Sequence, residues 1–87
     1  MKFVYSNNFL KAYRRYPPHF REIVERKLRL FAANRFHPSL RYKAVQALKR
    51  DNPPVKEISI SMGVRITLQE FEDHVYLRNI GTHSILP

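Results

Sequence analysis

Arg65 and His83 are the two side chains in this 87-residue sequence best placed by type and context for chemistry on a phosphate. Arg65 stands among strand-type apolar residues (Val64, Ile66, Leu68), two positions after Gly63. A guanidinium held on a rigid strand can grip a phosphate through two parallel N–H donors. The same side chain could instead close a cross-strand ion pair with Glu57 or Glu70. His83 follows Gly81-Thr82 just past a strand-like run, an exposed setting of the kind that often carries reactive groups. An imidazole titrates near pH ~6.5 and can give or take a proton under neutral conditions. A loop histidine without a chemical role is the alternative there. His19 and His74 read as helix-start and turn residues, and no two histidines have metal-ligand spacing. With no cysteine, disulfides, thiolate metal sites and thiol nucleophiles are excluded. No metal or other cofactor is expected. No pair of carboxylates falls on one rigid element, so glycosidase and metal-dependent nuclease mechanisms lack their parts. Metal-independent cleavage of RNA needs less. A base takes the proton of the RNA's own 2′-OH, an acid protonates the leaving 5′ oxygen, and cations stabilise the charged phosphorane.

Charge narrows the partner. Sixteen Lys and Arg against seven Asp and Glu leave a net +9. The first fifty residues hold thirteen basic and two acidic side chains; the remainder hold three and five. Such a field attracts polyanions. A membrane surface would call for a basic amphipathic helix with a free apolar face, whereas the apolar stripes here are needed for a core. RNA is therefore the expected partner, and no membrane. No apolar run approaches the ~18 residues needed to span a bilayer. Met1-Lys2-Phe3-Val4-Tyr5 has no long apolar region behind its charge and does not read as a signal peptide. A cytoplasmic location is expected. At 44% hydrophobic and 13% aromatic the chain is globular rather than disordered, with room for a single domain over 1–87.

The elements that must position these residues follow from periodicity. Lys2 to Tyr5 alternates as a short strand, and Ser6 reads as an N-cap. Phe9, Leu10, Tyr13 and Tyr16 then recur at helical spacing until Pro17-Pro18, which ends that helix and opens the next. The second helix carries an apolar stripe of Phe20, Ile23, Val24, Leu28 and Phe31, runs to about Asn34, and offers Glu22–Arg26 and Glu25–Arg29 as i,i+4 pairs. The short link predicts an antiparallel helix hairpin. Phe36 to Leu40 reads as a loop; Arg41 to Arg50 fits either a helix or an extended segment; Asp51 to Pro54 is a break. Period two then takes over. Ile58, Ile60 and Met62 alternate with polar residues; Ile58, Ile60, Val64, Ile66, Val75 and Leu77 face the helices, while Glu57, Ser59, Ser61, Arg65, Thr67, Tyr76 and Arg78 face away. Gly63 marks one turn and Gln69 to His74 a second; the last strand runs Val75 to Ile80 and is broken by Gly81. Ile80 breaks the parity, which calls for a bulge or twist near Asn79. The expectation is an α+β fold in the order β-α-α-β-β-β, an antiparallel sheet with the helix hairpin on one face.

Laid out in order, several segments resemble the RelE/ParE superfamily of toxins from toxin–antitoxin systems. They are Phe9-Leu10-Lys11-Ala12-Tyr13-Arg14-Arg15 with its proline break, His37-Pro38-Ser39-Leu40-Arg41, Glu57-Ile58-Ser59-Ile60-Ser61, Val64-Arg65-Ile66, and Val75 to His83. The Ile80-Gly81-Thr82-His83 ending is the most specific and looks closest to the YafQ and HigB-like branches. The resemblance implies a RelE-like fold and a metal-independent endoribonuclease that cleaves mRNA on the ribosome and inhibits translation. It implies an acidic antitoxin protein as second partner. By position it gives catalytic roles to His83 and Arg65, and RNA or ribosome contacts to Arg41, Lys43, Lys49, Arg50, Lys56 and Arg78. Glu57, Ser59 and Ser61 depart from it, standing where RelE carries lysines. A ParE-like gyrase inhibitor and a catalytically weak or inactive binding module of the same fold are the alternatives.

Overall fold

The computed structural model describes residues 1–82. Its elements are β1 (Phe3–Tyr5), α1 (Asn7–Tyr13), α2 (Pro18–Ala33), β2 (Lys43–Ala44), β3 (Lys56–Ser59), β4 (Val64–Glu70) and β5 (Val75–Thr82). Single 3-10 turns at Pro38–Leu40 and Gln46–Leu48 punctuate the connector. His83 lies outside the described residues.

Local chemistry accounts for the helices. Ser6 is extended and its hydroxyl accepts the Phe9 amide, which caps α1. The helix stops at Tyr13, three residues short of the expected end. Bonds from Arg15 N to Ala12 O and from Tyr16 N to Tyr13 O tighten it into turns before the prolines. Pro17 then sits extended at the N-cap and Pro18 begins α2, where a missing N–H leaves nothing unsatisfied. Neither expected i,i+4 ion pair forms among the described residues; Glu25 accepts the Tyr13 hydroxyl at 3.2 Å instead and ties the two helices together. Phe9 from α1 and Val24, Leu28 and Phe31 from α2 join one core cluster with Ile58, Ile66, Leu68, Val75, Leu77 and Ile80 from the sheet.

The sheet has five strands in the order β1-β5-β4-β3-β2. The run β2–β3–β4–β5 is antiparallel, as expected. β1 adds to β5 in parallel, so the sheet is mixed rather than wholly antiparallel. The extra strand β2 comes from the ambiguous segment, where Lys43 and Ala44 pair with Glu57 and Lys56. Three boundaries differ from the sequence expectation. β4 continues to Glu70, so the turn occupies 71–74 only. Gly81 and Thr82 stay in β5, paired with Arg65 and Val64, rather than breaking it. The strand alternation read through Met62 ends early at Ser59, and Met62 is 99% exposed in the turn after β3, because pairing of β3 with β4 stops at Ser59–Arg65.

The parity break at Ile80 is resolved by a bulge. Thr67 pairs with Asn79 but Leu68 with Leu77, which leaves Arg78 as the extra residue of β5. Leu77 and Ile80 can then both reach the core, where each is at least 98% covered. The Ser6 amide donates to Leu77 O at 3.0 Å and its hydroxyl to Arg78 O at 2.5 Å, so the turn from β1 into α1 is anchored on the bulge.

Candidate functional site

On the sheet face turned away from the helices, Arg65 and Glu57 meet. Arg65 pairs with Ser59 on one side and Gly81 on the other. Its Nη1 lies 3.9 Å from Glu57 Oε1, and Lys43 Nζ approaches the same oxygen at 3.5 Å. Glu57 is thus a carboxylate only 8% exposed, held between a lysine on the edge strand and an arginine on the neighbouring strand. The cross-strand pairing that competes with phosphate for Arg65 is present, but 3.9 Å is beyond hydrogen-bond reach. Arg65 Nη1 is buried and has no hydrogen-bond partner among the described residues. Gly81, opposite Arg65, puts no side chain on the face beside the guanidinium.

This face is less open than the alternation suggests. Glu57 and Thr67 are buried, because the connector folds across it. Gln69 Nε2 donates to Pro53 O at 2.8 Å, and Asp51 Oδ2 lies 3.9 Å from Arg78 Nη1. The connector and the bulge frame a pocket of about 450 Å³ whose walls include Leu48, Thr67, Gln69, Tyr76 and Arg78. Arg78 Nη1 is a second buried guanidinium nitrogen without a hydrogen-bond partner.

Of the residues expected from sequence, the structure brings Arg65 and Lys43 together around Glu57 and puts Arg78 in the pocket under the connector. Lys49 and Arg50 are exposed and directly follow Leu48, which lines the pocket. Arg41 is exposed and left-handed (φ 47°) at the end of the Pro38–Leu40 turn. Lys56 goes elsewhere. It shares the parity of buried Ile58, and its ammonium sits 5.6 Å from the centre of the Tyr42 ring, on the helix side. There Tyr42 packs on Phe31 and Phe36, its hydroxyl donates to Glu70, and Arg35 completes the group with a 2.9 Å ion pair to Glu70. Burial and the Glu70 contact push the Tyr42 phenol above the ordinary tyrosine range. This cluster pins α2 and the connector to the sheet edge, a packing role. His83, the other expected catalytic residue, lies outside the described residues; it stands two positions along the chain from Gly81, the strand partner of Arg65.

Glu57 is the site residue that sequence reasoning passed over. The signal was there: parity put Glu57 and Arg65 on one face, and a carboxylate among so many cations stands out by type. Among the described residues no group of three or more His, Asp or Glu is placed to hold a metal ion.

No protein-family model matches the chain, and no curated protein sequence is significantly similar to it. Solved structures do match. The DinJ–YafQ toxin–antitoxin complex of Escherichia coli aligns at a TM-score of 0.77 and 11% identity, over 98% of this chain and 94% of that one. The RelB–RelE antitoxin–toxin complex of Methanococcus jannaschii aligns at 0.68 and 14%, over 94% and 92%. A copper-bound mutant toxin of Helicobacter pylori aligns at 0.73 and 21%, over 100% and 99%. The fold is that of the RelE-type toxins. The resemblance read from the sequence therefore holds at the level of architecture, over nearly the whole chain and at low identity. The RelE-type fold places β3 and β4 side by side, and it is this pairing that sets Glu57 beside Arg65. No helix of the described residues is long and apolar enough to cross a membrane.

Proposed function

We propose that the chain is the toxin of a toxin–antitoxin pair and cleaves mRNA without a metal, using the face that carries Glu57 and Arg65. The observation that supports this most is Arg65 itself: a rigid strand guanidinium whose buried Nη1 has a carboxylate at 3.9 Å but no hydrogen bond among the described residues. In this reading Arg65 and Lys43 take the scissile phosphate and stabilise the charge that grows on it. Glu57 accepts the proton of the 2′-OH, whose oxygen then attacks phosphorus. His83 gives a proton to the departing 5′ oxygen, and the products are a 2′,3′-cyclic phosphate and a 5′-hydroxyl. Arg41, Lys49 and Arg50 add sequence-independent affinity for messenger and ribosomal RNA. An acidic antitoxin with a helical segment would be held by the same positive field.

Induced expression in a bacterium, with primer-extension mapping of cellular mRNA, tests the reading. New 5′ ends within coding regions, and relief of growth arrest by Arg65→Ala or His83→Ala, are expected. Full toxicity in both variants overturns it. Inhibition of gyrase in a supercoiling assay, with intact mRNA, would replace it with the ParE-like reading.

A further inference from the structure

The pocket beside Arg78 has a chemistry of its own that the cleavage reading does not use. Its volume of about 450 Å³ is in the range that encloses a small molecule. Leu48 and the half-buried Tyr76 give it apolar walls, which suit the flat faces of a nucleobase rather than a bare anion. Most of its lining is polar, with Asn8 and Thr67 beside Gln69, Arg78 and Asn79. Arg78 belongs to the bulge, and its backbone is tethered by the Ser6 hydroxyl. Its Nη1 is buried without a hydrogen-bond partner, and the nearest carboxylate oxygen, on Asp51, is 3.9 Å away. Gln69 commits one Nε2 hydrogen to Pro53 O and keeps its carbonyl and a second N–H to offer. Asn79 Oδ1 accepts the Ile80 amide, which fixes the side chain and leaves its two N–H donors and one lone pair free.

We infer that this pocket receives a guanine base of the bound RNA, with Arg78 on its O6/N7 edge. A guanidinium only donates, and its fork needs two adjacent acceptors. Guanine presents O6 and N7 side by side. Adenine sets the N6 donor next to N7, and uracil sets N3–H between its carbonyls, so neither meets the fork. Guanine also carries N1–H and N2–H₂ donors that the Gln69 carbonyl can accept. Cytosine offers adjacent O2 and N3, but its single ring covers less of the Tyr76 and Leu48 walls. Thr67 and Gln69 follow Arg65 on the same face at steps of about 7 Å, so base and scissile phosphate belong to neighbouring stretches of one strand. The identification of the polymer as RNA rests on the proposed function; the choice of base rests on the pocket.

Titration of the full chain with 5′-GMP, AMP, CMP and UMP, followed by amide NMR shifts, tests it. GMP should bind about tenfold or more tighter than the others and move the Gln69, Tyr76 and Arg78 signals. Arg78→Gln and Gln69→Leu should each erase the preference while thermal melting shows them folded. Equal affinity for all four nucleotides, CMP binding as tightly as GMP, or inorganic phosphate reproducing the same shifts would each overturn the inference. The two readings fail separately: GMP selectivity without mRNA cleavage removes the nuclease and leaves the pocket, and cleavage without GMP selectivity does the reverse.

Discussion

Replacing Glu57 by glutamine should change RNA binding and RNA cleavage in opposite directions. The carboxylate lies 3.9 Å from Arg65 Nη1 and 3.5 Å from Lys43 Nζ, so it competes with a phosphate for both cations. A phosphate on the far side of the guanidinium would sit about 7 Å from the Glu57 charge, a repulsion of about 0.6 kcal/mol at the dielectric of water and about 2.4 kcal/mol at an effective value of 20. Removing that charge should therefore tighten binding by about threefold to fiftyfold. Loss of a positioned general base should slow cleavage by about 10²- to 10⁴-fold. Stability should change little. Glutamine fills the buried volume of Glu57, the Lys43 ammonium is more than half exposed and stays hydrated, and the Arg65 contact is too long for a hydrogen bond. The assay uses one RNA in two forms, native for cleavage and 2′-deoxy at the scissile position for affinity. Weaker binding with unchanged cleavage would refute the reasoning, because Glu57 would then be a plain structural partner of Arg65.

Two further outcomes follow from the fold. Ser6→Ala removes both the cap on the Phe9 amide and the bond to the Arg78 carbonyl, and should cost about 1–2 kcal/mol in chemical denaturation while loosening the bulge. If the loss is only local to α1, amide exchange at Leu77 to Asn79 will stay unchanged and the anchoring role fails. Tyr42→Phe should cost about 1 kcal/mol at neutral pH by removing the hydroxyl donated to Glu70. The sign with pH is set by the raised phenol: its contribution is complete below the ordinary tyrosine value of about 10 and is lost as pH climbs above it. Denaturation curves from neutral to alkaline pH should therefore fall away for the native chain and fall less for the phenylalanine variant.

How much of this was legible in the residues depended on whether a local rule or a tertiary one decided the matter. The Ser6 cap, the Pro17-Pro18 junction, the α2 stripe and the bulge beside Asn79 were all readable, since capping, proline sterics and parity act over a few residues. The parallel pairing of β1 with β5 was not, because it joins segments more than seventy residues apart. Nor was β2, two residues long, whose pairing with β3 overrides an ambiguous local pattern. Parity placed Arg65 and Glu57 together but called their face open; the fold of the connector through Pro53 and Asp51 buries it. Lys56 shows the limit of grouping cations by type. One residue from Glu57 along the strand, it points to the opposite face and spends its charge on Tyr42.

The strong positive charge accounts for attraction to a polyanion but names no place of reaction, and the proposed function draws that from the energetics of the face beneath the connector. A buried donor without a partner costs about 1–3 kcal/mol, and a domain of this size has a total stability of about 5–15 kcal/mol. Two such guanidinium nitrogens, on Arg65 and Arg78, stand on one face of one small sheet. Exposed cations elsewhere, such as Lys49 and Arg50, carry no comparable penalty because water satisfies them. Selection for stability alone would replace Arg65 and Arg78 with apolar residues of similar volume. Each stands 3.9 Å from a carboxylate, Glu57 or Asp51, and in the proposed reading a bound RNA completes both, with a phosphate at Arg65 and the acceptor edge of a base at Arg78. In the proposed function the diffuse charge brings the polyanion in, and these two arginines set where along it the chemistry takes place.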